Sequence, residues 1–332
     1  MNKMVCLDER YSTTRMLFKI VNDECLKKDR KIKEECKWNI NNLEFNIKNS
    51  KLIGNSEDKF ETVLFLPEGE GRKGEGGLRT KGYFKKSYKD KPLISIITVV
   101  FNGEKFLEET IQSVINQSYD NVEYIIIDGG STDGTLDIIK KYEDRIDYWI
   151  SEKDSGISDA FNKGIICCFG ELIGILNADD YYEKDAFLNV INTYLNLDKN
   201  SPAILYGKTY KITTKSEKLV KKDNKRSWCM SVPFSHCSSF ITKSYYKKFG
   251  LYNIAFKIAM DIELLMRGLK IVNYISLENF IATQRDGGIS DINRIKGYKE
   301  YIKASKGYCS FIKSYMFYII KVLLVYKNKV LL

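Results

Sequence analysis

The 332-residue chain reads as an α/β fold: a mainly parallel, doubly wound sheet with flanking helices. Three observations lead there. Continuous apolar, β-branched runs recur between residues 93 and 180, as expected of strands buried on both faces. They alternate with segments whose apolar residues repeat at helical spacing, which calls for parallel strands joined by right-handed crossovers. Each apolar run also ends in polar groups, and in such sheets ligands bind outside the carboxyl ends of the strands.

The elements follow in order. "LISIITVV" from Leu93 is the first buried strand. "FNGEKFLEETIQSVINQ" follows as a helix, with Phe106, Leu107, Ile111, Val114 and Ile115 on one side. "VEYIIID" is the second strand and ends at Asp128; "GGSTDGT" is a turn and "LDIIKKY" begins a helix. "IDYWISEKD" is the third strand-like run, "GISDAFNKGIICCF" a helix, and "ELIGILNADD" a strand ending in acids. The strand ends thus deliver Thr98 and Asn102, then Asp128, then Asp154, then Asn177, Asp179 and Asp180 to one rim.

The flanks are simpler. Residues 1–91 form an N-terminal extension with a Gly-rich basic linker, residues 92–293 the catalytic domain, and residues 294–332 a basic, apolar helical tail. Within the extension, "RMLFKIVNDECLKK" is expected to be a helix with Met16, Ile20 and Cys25 on one side, and "WNINNLEFNIKN" a short strand.

Charge and composition exclude several classes. The net charge of +10 divides into +6 for residues 1–91, +8 for 294–332 and −4 for the centre. An acidic centre between basic ends is not a nucleic-acid groove, which needs clustered bases at the site itself. It suits a body that keeps carboxylates for chemistry and rests its ends on an anionic surface. Eight Cys without a C-x-x-C pair and a single His point to reduced thiols, not to zinc or a disulfide framework. The N-terminus shows no apolar signal region.

"EGEGRKGEGG" contains G-x-G-x-x-G at Gly69, Gly71 and Gly74. A dinucleotide loop must open a helix whose N-terminus holds pyrophosphate. Here Gly76, Gly77 and Gly82 follow, and no apolar face recurs every 3.6 residues. The stretch is therefore read as a tether, with Arg72, Lys73, Arg79 and Lys81 on a solvated basic loop, and a dehydrogenase is set aside.

The segment "GILNADDYYEKD" carries the chemistry. Acids at a strand end, preceded by Asn177, present hard oxygen ligands suited to Mg²⁺ or Mn²⁺ beside a diphosphate. Asp180 is also placed to cap the helix of "YEKDAFLNVINTYL".

With these pieces in place, residues 93–290 resemble the family 2 glycosyltransferases, with a GT-A-type fold, and within them the enzymes of bacterial surface polysaccharides. The resemblance rests on "ISIITVVFNGEKFLEETIQSVINQ", "VEYIIIDGGSTDGT", "SEKDSGISDAFNKGI", "GELIGILNADDYY" and "FSHCSSFITKSYYKKFGLYN…KIAMDIELLMR", in the family's order. It implies a nucleotide-sugar site drawn from Val99, Val100, Asn102, Asp128, Asp154, Asn162, Asn177, Asp180 and His236, with Asp128 near uracil and ribose. Gly129 stands where many relatives have a second acid, and Val99 where Pro is common. Asn177-Ala178-Asp179 matches D-x-D with Asn first, so Asp179 is the expected metal ligand, and Asp261 in "MDIELLMR" the expected catalytic base.

The implied activity is inverting, metal-dependent transfer of a hexosyl or N-acetylhexosaminyl group from a UDP-sugar donor to a glycan or lipid-linked acceptor. A metal stabilises the leaving diphosphate, a carboxylate takes the acceptor proton, and one carboxylate for each task implies a single in-line displacement. The alternative is a non-catalytic nucleotide-sugar-binding relative or scaffold, against which Asp128, Asp179 and Asp261 are all present.

The tail "FIKSYMFYIIKVLLVYKNKVLL" is interrupted by Lys313 and Lys321. A spanning helix needs ~20 mainly apolar residues, and a central Lys costs roughly 2.5–3.5 kcal/mol. Tyr315, Met316, Ile319, Leu323, Tyr326 and Val330 share one helical face that the lysines avoid. The expectation is an interfacial helix, hence a cytoplasmic protein held peripherally on the inner face of the membrane. The plain alternative is a terminal helix packed on the domain.

Overall fold

The computed structural model describes residues 59–310 apart from 61, 68, 70, 200, 222–231 and 289–292, with backbone segments before residue 53 and helical residues 314–316 and 318–323. At the N-terminus, β1 (Met4–Cys6) pairs antiparallel with β2 (Leu17–Lys19). β3 (Lys37–Ile40), β4 (Leu43–Asn46) and β5 (Lys51–Leu52) form a separate antiparallel sheet. The stretch around Met16 expected as a helix thus holds a strand at Leu17–Lys19, where pairing partners override local helical spacing. The run "WNINNLEFNIKN" contributes two strands rather than one.

The Gly-rich stretch departs furthest from expectation. β6 (Gly74–Gly76) adds antiparallel to the edge of the main sheet, and β7 (Tyr83–Phe84) pairs with β2. The glycines have a packing reason. A Cβ on Gly74 would lie 2.8 Å from Trp149 Cη2, and one on Gly76 2.6 Å from Trp149 Nε1. Only a bare backbone closes so tightly on the indole. Arg79 is no solvated base: it is 1% exposed and pairs with Glu123 at 2.5 Å. Arg72 likewise pairs with Glu152, at 2.8 Å.

The sheet is then laid down as the apolar runs foretell. β8 (Ile94–Val100) leads to α1 (Leu107–Ile115), β9 (Val122–Asp128) to α2 (Thr135–Lys141), and β10 (Tyr148–Ser151) to α3 (Ile157–Ile166). β11 (Leu172–Asn177), β12 (Tyr181–Tyr182) and α4 (Ala186–Tyr194) follow. Then come β13 (Ala203–Ile212), β14 (Lys218–Val220), β15 (Ser239–Thr242), α5 (Lys243–Phe249), α6 (Met260–Gly268), β16 (Asn273–Arg285) and α7 (Arg294–Ser305).

The main sheet runs β12-β16-β13-β15-β11-β8-β9-β10-β6. Strands β11, β8, β9 and β10 are parallel; β15, β12, β14 and β6 join antiparallel. Side chains alternate along β8, so Ile94, Ile96 and Val100 enter one core and Ile97 and Val99 the other. The first core is closed by Leu107, Ile111, Ile139, Phe187 and Ile191, the second by Phe161, Ile165, Tyr245, Leu264 and Leu265. Helices therefore cover both faces, which is the doubly wound arrangement. Each fully buried Ile or Leu contributes roughly 1.5–3 kcal/mol.

Cys167, Cys168 and Cys237 are free and buried. Cys309 is disulfide-bonded, which departs from the expectation of reduced thiols throughout. Among the described residues no helix is long and apolar enough to cross a membrane. In the tail, Tyr315, Met316, Ile319, Ile320 and Leu323 are exposed, while Ser314 is buried and its hydroxyl lies 3.2 Å from that of Ser305. Lys313, Tyr326, Lys327, Lys329 and Val330 lie outside the described residues.

Candidate active site

The order of the parallel strands reverses between β8 and β11, because β9 and β10 lie to one side of β8 and β11 to the other. A crevice opens at such a switch point, outside the carboxyl ends of the strands. Register sets the rim: Val99 pairs with Asn177, Val100 with Asp128, and Asp128 with Ser151. Val99 and Val100 are buried and supply backbone, as Gly129 N–H donates to the Val100 carbonyl at 2.8 Å.

Asp128 is fully buried, and both of its oxygens are taken. Ser131 donates to it through N–H and hydroxyl, and the Ser151 hydroxyl through a 2.6 Å bond. It builds the turn after β9. The Ser131 hydroxyl also accepts from Asn102 N–H at 2.7 Å, and Asn102 Oδ1 accepts from Thr132 N–H at 2.9 Å. Asn102 holds a left-handed φ of 52°, a conformation Asn tolerates better than most residues. It stands exposed beside Phe101, which is 65% exposed. Phe101 was not singled out in the sequence, where one aromatic among many carries no signal. Thr98, expected at the rim, is buried in the core and accepts from the Tyr124 hydroxyl.

Lys73, from the Gly-rich stretch, joins this turn. Its Nζ donates to the carbonyls of Gly130 and Ser131, both at 2.8 Å, and its N–H donates to the Ser151 carbonyl at 2.7 Å. A closed ring results: Lys73, Ser151, Asp128, Ser131 and back to Lys73.

Asp154 is half-buried, and its Oδ1 accepts from Gly156 N–H at 2.7 Å. A Cβ on Gly129 would stand 2.7 Å from its Oδ2. The carboxylate of Asp154 thus occupies the space beside the position where the second acid is missing. Asn162 is committed elsewhere, exchanging both ends of its amide with the main chain of Tyr252 at 2.8 and 2.9 Å. It positions that segment.

The acidic cluster follows β11. Asp180 is buried, 1% exposed, and its Oδ1 accepts from Arg285 N–H at 3.0 Å. It does not cap a helix; α4 begins at Ala186, after Asp185. Burial first, and then the Asp179 carboxylate, push the Asp180 carboxyl up to about 7, against the pull of the Arg285 N–H, Lys221 and the Asn177 side chain. Burial also pushes Asp179 up, partly offset by Arg285. Among the described residues, Asp180 Oδ2 and Asn177 Oδ1 are buried without a hydrogen-bond partner. Two orphaned oxygens beside a half-buried carboxylate form a set that a hard divalent cation would satisfy. Among the described residues no group of three or more His, Cys, Asp or Glu is placed to hold a metal ion.

Arg285 sits at the end of β16, far from the acids in sequence. Its guanidinium donates to the Asp179 carbonyl and to Glu109 and lies over the rings of Phe106 and Tyr181 at 4.4 and 5.2 Å. The parallel pairing of β13 with β16 is what delivers it.

Asp261 is the second residue of α6, where the helix N-terminus favours negative charge. His236 lies near enough to feel its carboxylate: burial lowers the imidazole pKa and Asp261 pulls it back. His236 Nε2 is 2.8 Å from the Tyr252 hydroxyl and its ring is 5.4 Å from that of Phe161. The segment before α6 reaches the rim, since Lys257 Nζ donates to the Ser155 carbonyl at 2.7 Å and Ser158 Oγ to the Phe256 carbonyl at 2.8 Å.

A mainly parallel, doubly wound sheet with acids at its strand ends is the architecture of the GT-A-type fold. More narrowly, residues 95–261 match glycosyl transferase family 2, and the chain belongs to that family. It is 34% identical over 191 residues to an uncharacterized glycosyltransferase of Rickettsia typhi, covering 54% of this chain and 59% of that one. It is 41% identical over 98 residues to the putative teichuronic acid biosynthesis glycosyltransferase TuaG of Bacillus subtilis, covering 29% of this chain and 39% of TuaG. The chain thus spans about half the length of these curated relatives. Among solved structures, residues 1–349 of S. aureus TarS in complex with UDP-GlcNAc share the fold, with TM-score 0.50 and 15% identity over 69% of this chain and 71% of that one.

Proposed function

We propose that the protein is an inverting, divalent-metal-dependent glycosyltransferase that moves a hexosyl or N-acetylhexosaminyl group from a UDP-sugar to a glycan or lipid-linked acceptor in surface-polysaccharide assembly. The observation that carries the reading is the acidic cluster at the switch point: Asp179 beside the orphaned oxygens of Asn177 and Asp180.

Asp179, with Asn177 and Asp180 behind it, would hold Mn²⁺ or Mg²⁺. That ion would supply Lewis-acid stabilisation of the departing diphosphate, worth several kcal/mol. Asp154, Asn102 and Phe101 border the nucleoside end of the crevice, and Asp128 serves it by holding the Gly129–Ser131 turn. Asp261 takes the proton from the acceptor hydroxyl as that oxygen attacks the anomeric carbon from the face opposite the diphosphate. His236 and Tyr252 flank that carboxylate. One carboxylate at each end of the displacement leaves no protein nucleophile, so the anomeric configuration inverts.

The tail supports attachment to an anionic membrane surface. Its exposed Tyr315, Met316, Ile319 and Leu323 lie on the face the sequence marks as apolar, and interfacial helices bind through such faces. The relation to TuaG supports an acceptor of the surface-polysaccharide kind.

The test is hydrolysis of a panel of nucleotide sugars with and without Mn²⁺. Mn²⁺-dependent release of UDP from a UDP-sugar is the expected result. Failure to bind or cleave any nucleotide sugar would return the chain to a scaffold role.

A further inference from the structure

One contact joins the stretch matched to the family to a helix beyond it. Glu300, on α7, turns one carboxylate oxygen, Oε2, to three consecutive backbone amides: Lys257 N–H at 3.0 Å, Ile258 N–H at 2.8 Å and Ala259 N–H at 3.0 Å. Successive amides pointing to one spot form a concave anion site. Ala259 is the N-cap residue of α6 and has no side chain able to cap it. The three amides belong to the segment that enters α6, just ahead of its first residue Met260, so an acceptor from another helix holds the approach to α6. Asp261 follows two residues later.

The contact is built, not incidental. Gly297, one turn before Glu300, lets α7 close on the same segment: a Cβ there would stand 3.0 Å from Ile258 Cγ2. Tyr301 is buried beside it, and Lys303 Nζ lies 5.1 Å from the Phe256 ring. The opposite side of the segment is fixed to the rim through Lys257 Nζ and the Ser155 carbonyl. The backbone that leads into Asp261 is therefore clamped between the donor rim and α7.

Resting on the reading of Asp261 as the proton acceptor, we infer that Glu300 is the positioning residue for its carboxylate, through the amides of residues 257–259. Without the Glu300 carboxylate, three amides lose their acceptor and the entry to α6 is held from the rim side alone. A displacement of about 1 Å at a reacting group can cost about 10²-fold in rate. Donor affinity should be untouched, because none of the hydrogen bonds described for the acidic cluster or for the turn after β9 involves α7.

The experiment compares Glu300→Ala, Glu300→Gln, Asp261→Asn and the double variant Asp261→Asn with Glu300→Ala. It reads kcat for UDP release from the UDP-sugar the wild type hydrolyses fastest, and affinity for UDP with Mn²⁺ by calorimetry. Glu300→Ala is expected to lower kcat by about 10- to 100-fold at unchanged UDP affinity. Glu300→Gln, which keeps an acceptor oxygen, should recover most of the loss. The double variant should be no slower than Asp261→Asn, as the two residues act through one carboxylate. If the two losses multiply, or UDP affinity falls with kcat, Glu300 is only a structural brace and the inference is overturned. If Asp261→Asn alone keeps the wild-type rate, the proton-acceptor reading fails first and the inference with it. Should Glu300→Ala not fold, Glu300→Asp carries the test: it keeps the charge one methylene short, and a full wild-type kcat in it would overturn the assignment.

Discussion

The main-chain N–H of Arg285 donates to Asp180 Oδ1 at 3.0 Å, while the other oxygen of that buried carboxyl has no hydrogen-bond partner among the described residues. Burial and the neighbouring Asp179 carboxylate hold the proton on this carboxyl up to about 7, against an ordinary 3.8.

The sign of the pH dependence follows. Between those values the unfolded chain gives up a proton that the folded chain retains. The stability of the metal-free protein should fall as pH rises from about 4 to about 7 and level off above. A cation bound here must displace the proton, so Mn²⁺ should raise the melting temperature more at pH 8 than at pH 6. An equal Mn²⁺ shift at both values would separate Asp180 from the ion.

Asp179→Ala should abolish Mn²⁺-dependent UDP binding and leave the melting temperature of the metal-free protein within a few degrees. The carboxylate sits at a strand end, where little core depends on it. Titration calorimetry with UDP, with and without Mn²⁺, is the check, and unchanged affinity would remove Asp179 from the role.

Asp261→Asn keeps the shape of the side chain and cannot accept a proton. UDP affinity should survive while turnover falls by about 10²-fold or more, the usual scale for a general base. Steady-state kinetics on the preferred UDP-sugar decides it.

Arg79→Leu should cost about 3–5 kcal/mol in urea unfolding, because it strands the buried Glu123 carboxylate. That carboxylate would keep only Ser95 Oγ and Phe169 N–H as donors. A loss below about 1 kcal/mol would mean that water reaches the site.

Removing residues 311–332 should release the protein from anionic vesicles and spare UDP-sugar hydrolysis. Each Lys near such a surface adds roughly 1 kcal/mol, which added salt screens. Co-sedimentation at low and high salt, with and without the tail, measures this. Equal pelleting of both forms, or insolubility of the shortened one, would make the tail a packed element of the domain.

Much of the fold was legible because buried parallel strands write themselves as unbroken β-branched runs. β8 and β9 begin and end within a residue of "LISIITVV" and "VEYIIID", while β11 stops at Asn177, three residues short of the end of "ELIGILNADD". The rim acids were legible for the same reason, since a strand's end is where its apolar run stops. What escaped depends on partners distant in sequence. The glycines of "EGEGRKGEGG" carry no sign of Trp149, the surface they must approach. Arg79 looks like any base in a polar loop until Glu123 is placed beneath it. Arg285 and Glu300 reach the site from β16 and α7, and no local spacing ties either to Asp180 or to Asp261. The Asp180 cap was misread because the chain spends Tyr181 and Tyr182 on β12 before α4 begins.

The ring through Lys73 has a practical consequence for anyone cutting the gene. The smallest piece that looks self-sufficient by family likeness would begin near Leu93. Such a fragment would lack β6, leaving β10 as a bare outer strand with Trp149 uncovered and its hydrogen-bonding edge open to another chain. Exposed edges of that kind recruit neighbours, so the trimmed protein should form aggregates on expression, while one starting before Thr62 should stay dispersed.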